Sequence, residues 1–240
     1  MKQWVDLTEP LVEGHWRYNE FVQTCDDGPE GFGRYMNVGH AFTHIDAPRH
    51  MIHGGRQLDE FPLFDFLIGP AAVLDCGDVR PNQPIDRALL ESAFEGCNTT
   101  DVLLVKTSWG KTCSSSLKDH WMQAPYMTQS GVDFLRSLKP KAVGFDFPQD
   151  FGIRCSDADS NLVTKEKDYD ADADNKLRPG PPTPENSPTH FSLLPYDILM
   201  IEYMTNLWKV PVKNVEICAL PLKLKMPNTD GAPIRVAVRF

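Results

Sequence analysis

The chain has 240 residues, long enough for one substantial core, and a formal net charge of −9. With 33 Asp and Glu against 24 Lys and Arg, it lacks the basic excess that nucleic acid phosphates or anionic lipids demand, so the expected partner is a small molecule. The opening MKQWVDLTEP lacks the basic start and apolar run of a signal peptide, and no segment approaches the roughly 18 to 20 apolar residues of a membrane span, so a soluble cytoplasmic protein with a single domain over 1–240 is expected.

In chain order, Trp4 to Leu7 is predicted as a short strand, and Val12 to Glu30, polar with scattered glycines and aromatics, as a loop or flap. Next comes NVGHAFTHIDAPRH, Asn37 to His50, with three histidines and one aspartate in the eleven residues from His40 onward. Thr43 to Ile45 is β-prone, and an unbroken strand would set His40, Phe42, His44 and Asp46 on one face by period-two alternation. Imidazoles with one carboxylate form a mixed N/O set suited to zinc, manganese or ferrous iron, whereas calcium and magnesium prefer oxygen alone. Pro48 should end the strand, leaving His50 just beyond the turn as the best placed proton carrier.

Phe61 to Leu67 is too short to assign as a helix, and Gly69-Pro70 is expected to close it ahead of a buried strand from Ala71 to Asp75. Asp86 introduces a helix over Arg87 to Phe94, with Leu89, Leu90, Ala93 and Phe94 on one face. Asp101 to Thr107 is a strand, Ser130 is expected to cap a helix over Gly131 to Leu138, and Ala142 to Phe145 is a strand again. This alternation points to an α/β protein with parallel pairing. Strands dominate the C-terminal third, at Ile198 to Tyr203, Val215 to Leu224 and Ile234 to Phe240, so the whole is expected to be a mixed sheet or partly closed barrel with flanking helices.

The stretch 152–188 is acidic and proline-rich and reads as a solvated loop that delivers the chain to His190. Glu202, inside the apolar run ILMIEYM, needs a partner, either a basic side chain or a cation, because an unpaired buried carboxylate is costly. His15 and His120 lie in polar contexts and are expected at the surface, while His53 has no evident role. The six cysteines, Cys25, Cys76, Cys97, Cys113, Cys155 and Cys218, form no Cys-x-x-Cys pair and are expected to be reduced.

The Asn37 to His50 stretch resembles the His-x-Gly-Thr-His-x-Asp-x-Pro-x-His signature of the cyclase family of metal-dependent hydrolases, which includes bacterial kynurenine formamidase and isatin hydrolase. His40, Thr43, His44, Asp46, Pro48 and His50 match, and Phe42 stands where the pattern has glycine. Asp6-Leu7-Thr8, Gly54-Gly55-Arg56, Lys106-Thr107-Ser108-Trp109, Val143-Gly144-Phe145-Asp146 and Leu220-Pro221-Leu222 follow in the family's order.

The resemblance implies a swivelling β/β/α fold and a two-metal site holding zinc or manganese. His40, His44 and Asp46 would hold the first ion, Asp46 and Glu202 would bridge, His190 would hold the second, and His50 would stay outside the ligand set as the catalytic proton carrier. It also implies that Trp16 contacts substrate, although GHWRYNE departs from the usual Trp-Pro-Gly context, and that the protein is a homodimer or larger homo-oligomer. Phe42 would shape the substrate pocket. The implied activity is hydrolysis of the C–N bond of a small aromatic amide or lactam by metal-activated water. The alternatives are a metal-dependent lyase or cyclase acting on a small carbonyl compound, and a non-catalytic ligand-binding relative.

Overall fold

The computed structural model describes residues 2–18, 23–25, 34–36, 39–154 and 182–240. Its first half contains strands β1 (Trp4–Asp6), β2 (Gln23–Cys25), β3 (Arg34–Met36), β4 (His44–Asp46), β5 (Ile68–Asp75) and β6 (Pro84–Ile85), then helix α1 (Arg87–Phe94) and strand β7 (Val102–Lys106). There follow α2 (Trp109–Thr112), α3 (Lys118–Met122), β8 (Tyr126–Met127), α4 (Gln129–Ser137), β9 (Ala142–Phe145), α5 (Pro188–Leu193), β10 (Leu199–Glu202), β11 (Asn214–Pro221) and β12 (Gly231–Arg239).

Seven strands run in the order β12-β11-β5-β7-β9-β10-β4, and β4 pairs back onto β12 to close a mixed barrel. The pairs β5–β7, β7–β9 and β9–β10 are parallel, and the rest of the barrel is antiparallel. One edge of β12 pairs with β11, while the other pairs first with β4 and then, towards its end, with β1. The mixed sheet or partly closed barrel with flanking helices that the sequence leads one to expect is therefore present as a closed mixed barrel with few helices.

Period-two alternation sorts the strand residues between two cores. Ile45, Val73, Leu104, Ile201 and Val236 fill the barrel interior. Their neighbours Leu74, Leu103, Val105 and Met200 pack outside it, together with Leu90, Ala93, Val132 and Leu135 from α1 and α4. Because Ile45 and Ile201 point inward, His44, Asp46 and Glu202 project from the outer face.

Local chemistry sets most element boundaries. Asp86 caps α1 by accepting from Leu89 N, as its sequence predicts. Helix α4 starts earlier than expected, since Thr128 rather than Ser130 is the cap and accepts from Gly131 N. Gly69-Pro70 does not precede the strand but lies within β5, because pairing to β7 begins only at Ala72 and Pro70 sits where that edge is unpaired. Phe61 to Leu67 holds only the 3-10 turn Leu63–Asp65. Of the expected loop, 155–181 lies outside the described residues, Phe151–Arg154 is a 3-10 turn, and Pro188 already opens α5. Among the described residues no helix is long and apolar enough to cross a membrane.

Candidate metal centre

β4 is held between β10 and β12, which puts His44 directly opposite Glu202 and Asp46 opposite Gly231. His44 Nδ1 donates to the Phe42 carbonyl at 2.8 Å. A carbonyl can only accept, so Nδ1 carries a proton, and the other nitrogen, Nε2, is turned to the carboxylates, 3.3 Å from Asp46 Oδ1 and 3.2 Å from Glu202 Oε2. His190, on α5, is oriented the same way: Asp150 accepts from its Nδ1 at 2.6 Å and from Thr189 N at 3.1 Å. Its Nε2 then faces Asp46 Oδ2 at 3.6 Å and Glu202 Oε1 at 3.4 Å. Gln149 holds the Glu202 carboxylate through its side-chain amide.

His40 Nδ1 bonds Asp46 Oδ1 at 2.8 Å, and its Nε2 lies 3.2 Å from Asp230 Oδ2. His50 stacks on His40 with ring centres 4.0 Å apart, and its Nδ1 is 3.6 Å from the same Asp230 oxygen. The close packing of His40 depends on Gly231, where an added Cβ would lie 2.6 Å from His40 Cε1 and 2.9 Å from the Ile45 carbonyl oxygen. The structure thus gathers all six predicted residues, His40, His44, Asp46, His50, His190 and Glu202, into one cluster. It also adds Asp150, Asp230, Gly231 and Gln149, which sequence reasoning missed. Asp150 and Asp230 sit in polar loops with no periodicity, and Asp230-Gly231 reads as an ordinary turn pair.

The donor set fits a divalent cation. Burial disfavours the charged form of His40 and His44, but contact with Asp46 outweighs it, raising their pKa values to about 9 and about 10. Burial likewise works against an ionised Asp46, and the surrounding histidines hold its carboxyl well below the ordinary range. The cluster therefore draws positive charge into a buried volume. Among the described residues, Asp46 Oδ2 is buried with no hydrogen-bond partner, as an atom reserved for a cation would be. Ligand atoms of His40, His44 and Asp46 lie within 4.8 Å of one another, as do those of Asp46, His50 and His190 and those of His40, His50 and Asp230. His50 is thus within ligand range as well as proton-transfer range.

A cavity of about 190 Å³ adjoins this cluster, lined by His15, Tyr18, Phe42, His120, Trp121 and Tyr203 among others. None of the predicted ligands lines it. It meets the cluster through Phe42, whose carbonyl holds His44, and through Tyr203, whose ring centre is 5.4 Å from that of His44. The expected alternation from His40 fails here, because β4 begins only at His44 and Phe42 has φ of 54°. This left-handed turn takes the Phe42 ring into a cluster with Tyr18 at 4.7 Å and His15 at 5.2 Å, and it accounts for glycine in the resembled pattern.

His15 and His120 are buried, contrary to the expected surface positions. Each ring finds a carbonyl: His15 Nε2 lies 3.1 Å from Ser115 O, and His120 Nδ1 donates to Cys113 O at 2.7 Å. Trp16 packs edge-on to Trp121 at 6.4 Å without lining the cavity, and His53 is exposed.

A family model described as Putative cyclase matches residues 5–149. Kynurenine formamidase from Salinibacter ruber is 29% identical over 215 residues, an alignment covering 89% of this chain and 82% of the relative. Isatin hydrolase from Roseibium aggregatum is 26% identical over 241 residues, covering 94% and 80%. A solved structure described as a potential metal-dependent hydrolase with cyclase activity superposes with a TM-score of 0.69 at 24% identity, covering 100% of this chain and 98% of the other.

Proposed function

The chain belongs to the Putative cyclase family, and on that premise we propose that it catalyses metal-dependent hydrolysis of the C–N bond of a small aromatic amide or lactam. The observation that carries the proposal is the Asp46 carboxylate, buried with Oδ1 shared by His40 and His44 and with Oδ2 unbonded and facing His190. In this assignment His40, His44, Asp46, His190 and Glu202 would hold zinc or manganese. Bound there, a divalent ion supplies Lewis acidity for an amide carbonyl and lowers the pKa of water towards about 7.

The protein's own groups do the rest. The Phe42 carbonyl and Asp150 fix the tautomers of His44 and His190, and Gln149 restrains Glu202. His50 stands at the rim, stacked on His40 and about a quarter exposed, where it can carry a proton from solvent to a leaving nitrogen. The aromatic wall of Phe42, Tyr18 and Trp121, with Trp16 against it, suits an aromatic acyl or aryl group. The names of the two relatives, kynurenine formamidase and isatin hydrolase, support the substrate class. A homodimer or larger homo-oligomer belongs to the same proposal, and light scattering that gives a monomer at micromolar concentration would remove it. Zinc-loaded and manganese-loaded protein should hydrolyse N-formylkynurenine, isatin or both. Full metal occupancy without turnover of either would overturn the assignment.

A further inference from the structure

Arg17 follows Trp16 in the turn that leads into the aromatic cavity, at a position where this chain departs from the resembled Trp-Pro-Gly context. It is 9% exposed, with its guanidinium carbon 4.2 Å from the centre of the Trp121 ring and 5.9 Å from that of Tyr18. Its Nη1 is fully buried and has no hydrogen-bond partner among the described residues. No carboxylate among the described residues forms an ion pair with it. A ring face offsets part of the cost of burying a guanidinium but satisfies none of its N–H groups.

The residues on either side share this condition. Trp16 Nε1 and the Tyr18 hydroxyl are also buried without a hydrogen-bond partner among the described residues, so three consecutive residues leave three donors unused there. An indole N–H and a guanidinium can only donate, so the group that satisfies them must be an acceptor. The two acids lining the cavity do not serve. Glu9 accepts from the Ser115 hydroxyl at 2.6 Å, and Asp146 accepts from Thr107 N, Thr107 Oγ1 and Ser108 N. Those same acids disfavour a dianionic phosphate, whereas a planar carboxylate matches the guanidinium fork with a single charge.

We infer that Arg17, with Trp16 Nε1 and Tyr18 Oη beside it, anchors the carboxylate of an anionic aromatic ligand. Tyr18 packs directly on Phe42, whose carbonyl orients His44, so the anchor is one aromatic ring away from the metal ligands. Taken with the proposed hydrolysis, on which this step rests, the substrate class is an aromatic amide that also carries a carboxylate.

Calorimetry on metal-loaded protein with benzoate and its neutral counterpart benzamide tests the anchor without any turnover. Benzoate should bind on the order of 10- to 100-fold more tightly, Arg17→Gln should bring the ratio near one, and Arg17→Lys should keep part of it. Equal binding of the two compounds by the unaltered protein would overturn the inference whatever the variants do. So would a benzoate preference that survives Arg17→Gln, since the carboxylate would then sit on the metal. Hydrolysis of N-formylanthranilate and 2-formamidobenzamide separates the two proposals: the same preference should appear in KM. If neither is cleaved while benzoate selectivity holds and depends on Arg17, the amide-hydrolase assignment fails and the anchor stands.

Discussion

Replacing Phe42 by glycine sets packing against backbone strain at a single residue. The ring is 4% exposed and packs on Tyr18 and His15, and losing a buried phenylalanine side chain costs about 3 to 5 kcal/mol. Phe42 also holds φ of 54°, and a residue without Cβ recovers about 1 kcal/mol in that left-handed region. The net expectation is destabilisation by about 2 to 4 kcal/mol, which for a chain of this size lowers Tm by roughly 4 to 16 °C. Metal content should be unchanged, because the Phe42 carbonyl that orients His44 belongs to the backbone and survives the substitution. The cavity should enlarge, so the ranking of kcat/KM among amides of different size should shift towards bulkier ones. Thermal scans, elemental analysis and a small amide series read the three outcomes. An unchanged or higher Tm would show that strain outweighs packing, and loss of metal would show that the ring itself supports the ligands.

Five further outcomes follow from named contacts. Asp46→Ala should lose metal and activity together, whereas His50→Ala should keep metal by elemental analysis and lose turnover; metal loss in His50→Ala would make His50 a ligand. Gly231→Ala should displace the His40 ring, since the Ile45 carbonyl on the other side of the new methyl cannot yield, and metal titration should show weaker binding; unchanged affinity would refute the close fit. Asp150→Ala removes the acceptor that fixes the His190 tautomer and should weaken metal affinity by about 10- to 100-fold. Burial lowers the His120 pKa to about 4, so the unfolded chain takes up its proton first as pH falls. Stability from a neutral His120 is therefore complete above about pH 6.5 and should fall by roughly 2 kcal/mol at about pH 5, a slope that urea unfolding of His120→Gln should lack.

The sequence shows a local pattern well where local physics decides it. Asp86 and the apolar spacing of Leu90 and Ala93 specify α1 to the residue, and the buried runs at Val102 and Ala142 emerge as β7 and β9. Glu202 is the most telling case. A carboxylate inside ILMIEYM demands a partner, and the structure supplies one by pairing it across the sheet from His44. What the sequence hides is set by contacts between distant segments. His15 and His120 look like surface residues among polar neighbours, yet each is buried because a carbonyl from the 113–115 loop meets its ring. Phe42 breaks the strand that Thr43 and Ile45 suggest, because one left-handed residue redirects the chain before alternation can begin.

Barrel closure explains why Asp230 and Gly231 are the hardest members of the site to see. β4 is only three residues long and gains most of its definition from the strands on either side. β10 brings Glu202 to one edge, and the start of β12 brings Gly231 to the other, with Asp230 immediately before it. Neither residue carries a motif, since one completes a turn and the other merely lacks a side chain. Their role exists only once β12, the last strand of the chain, has closed the barrel against β4, and no pattern within Asn37 to His50 can report a pairing made that far along the sequence.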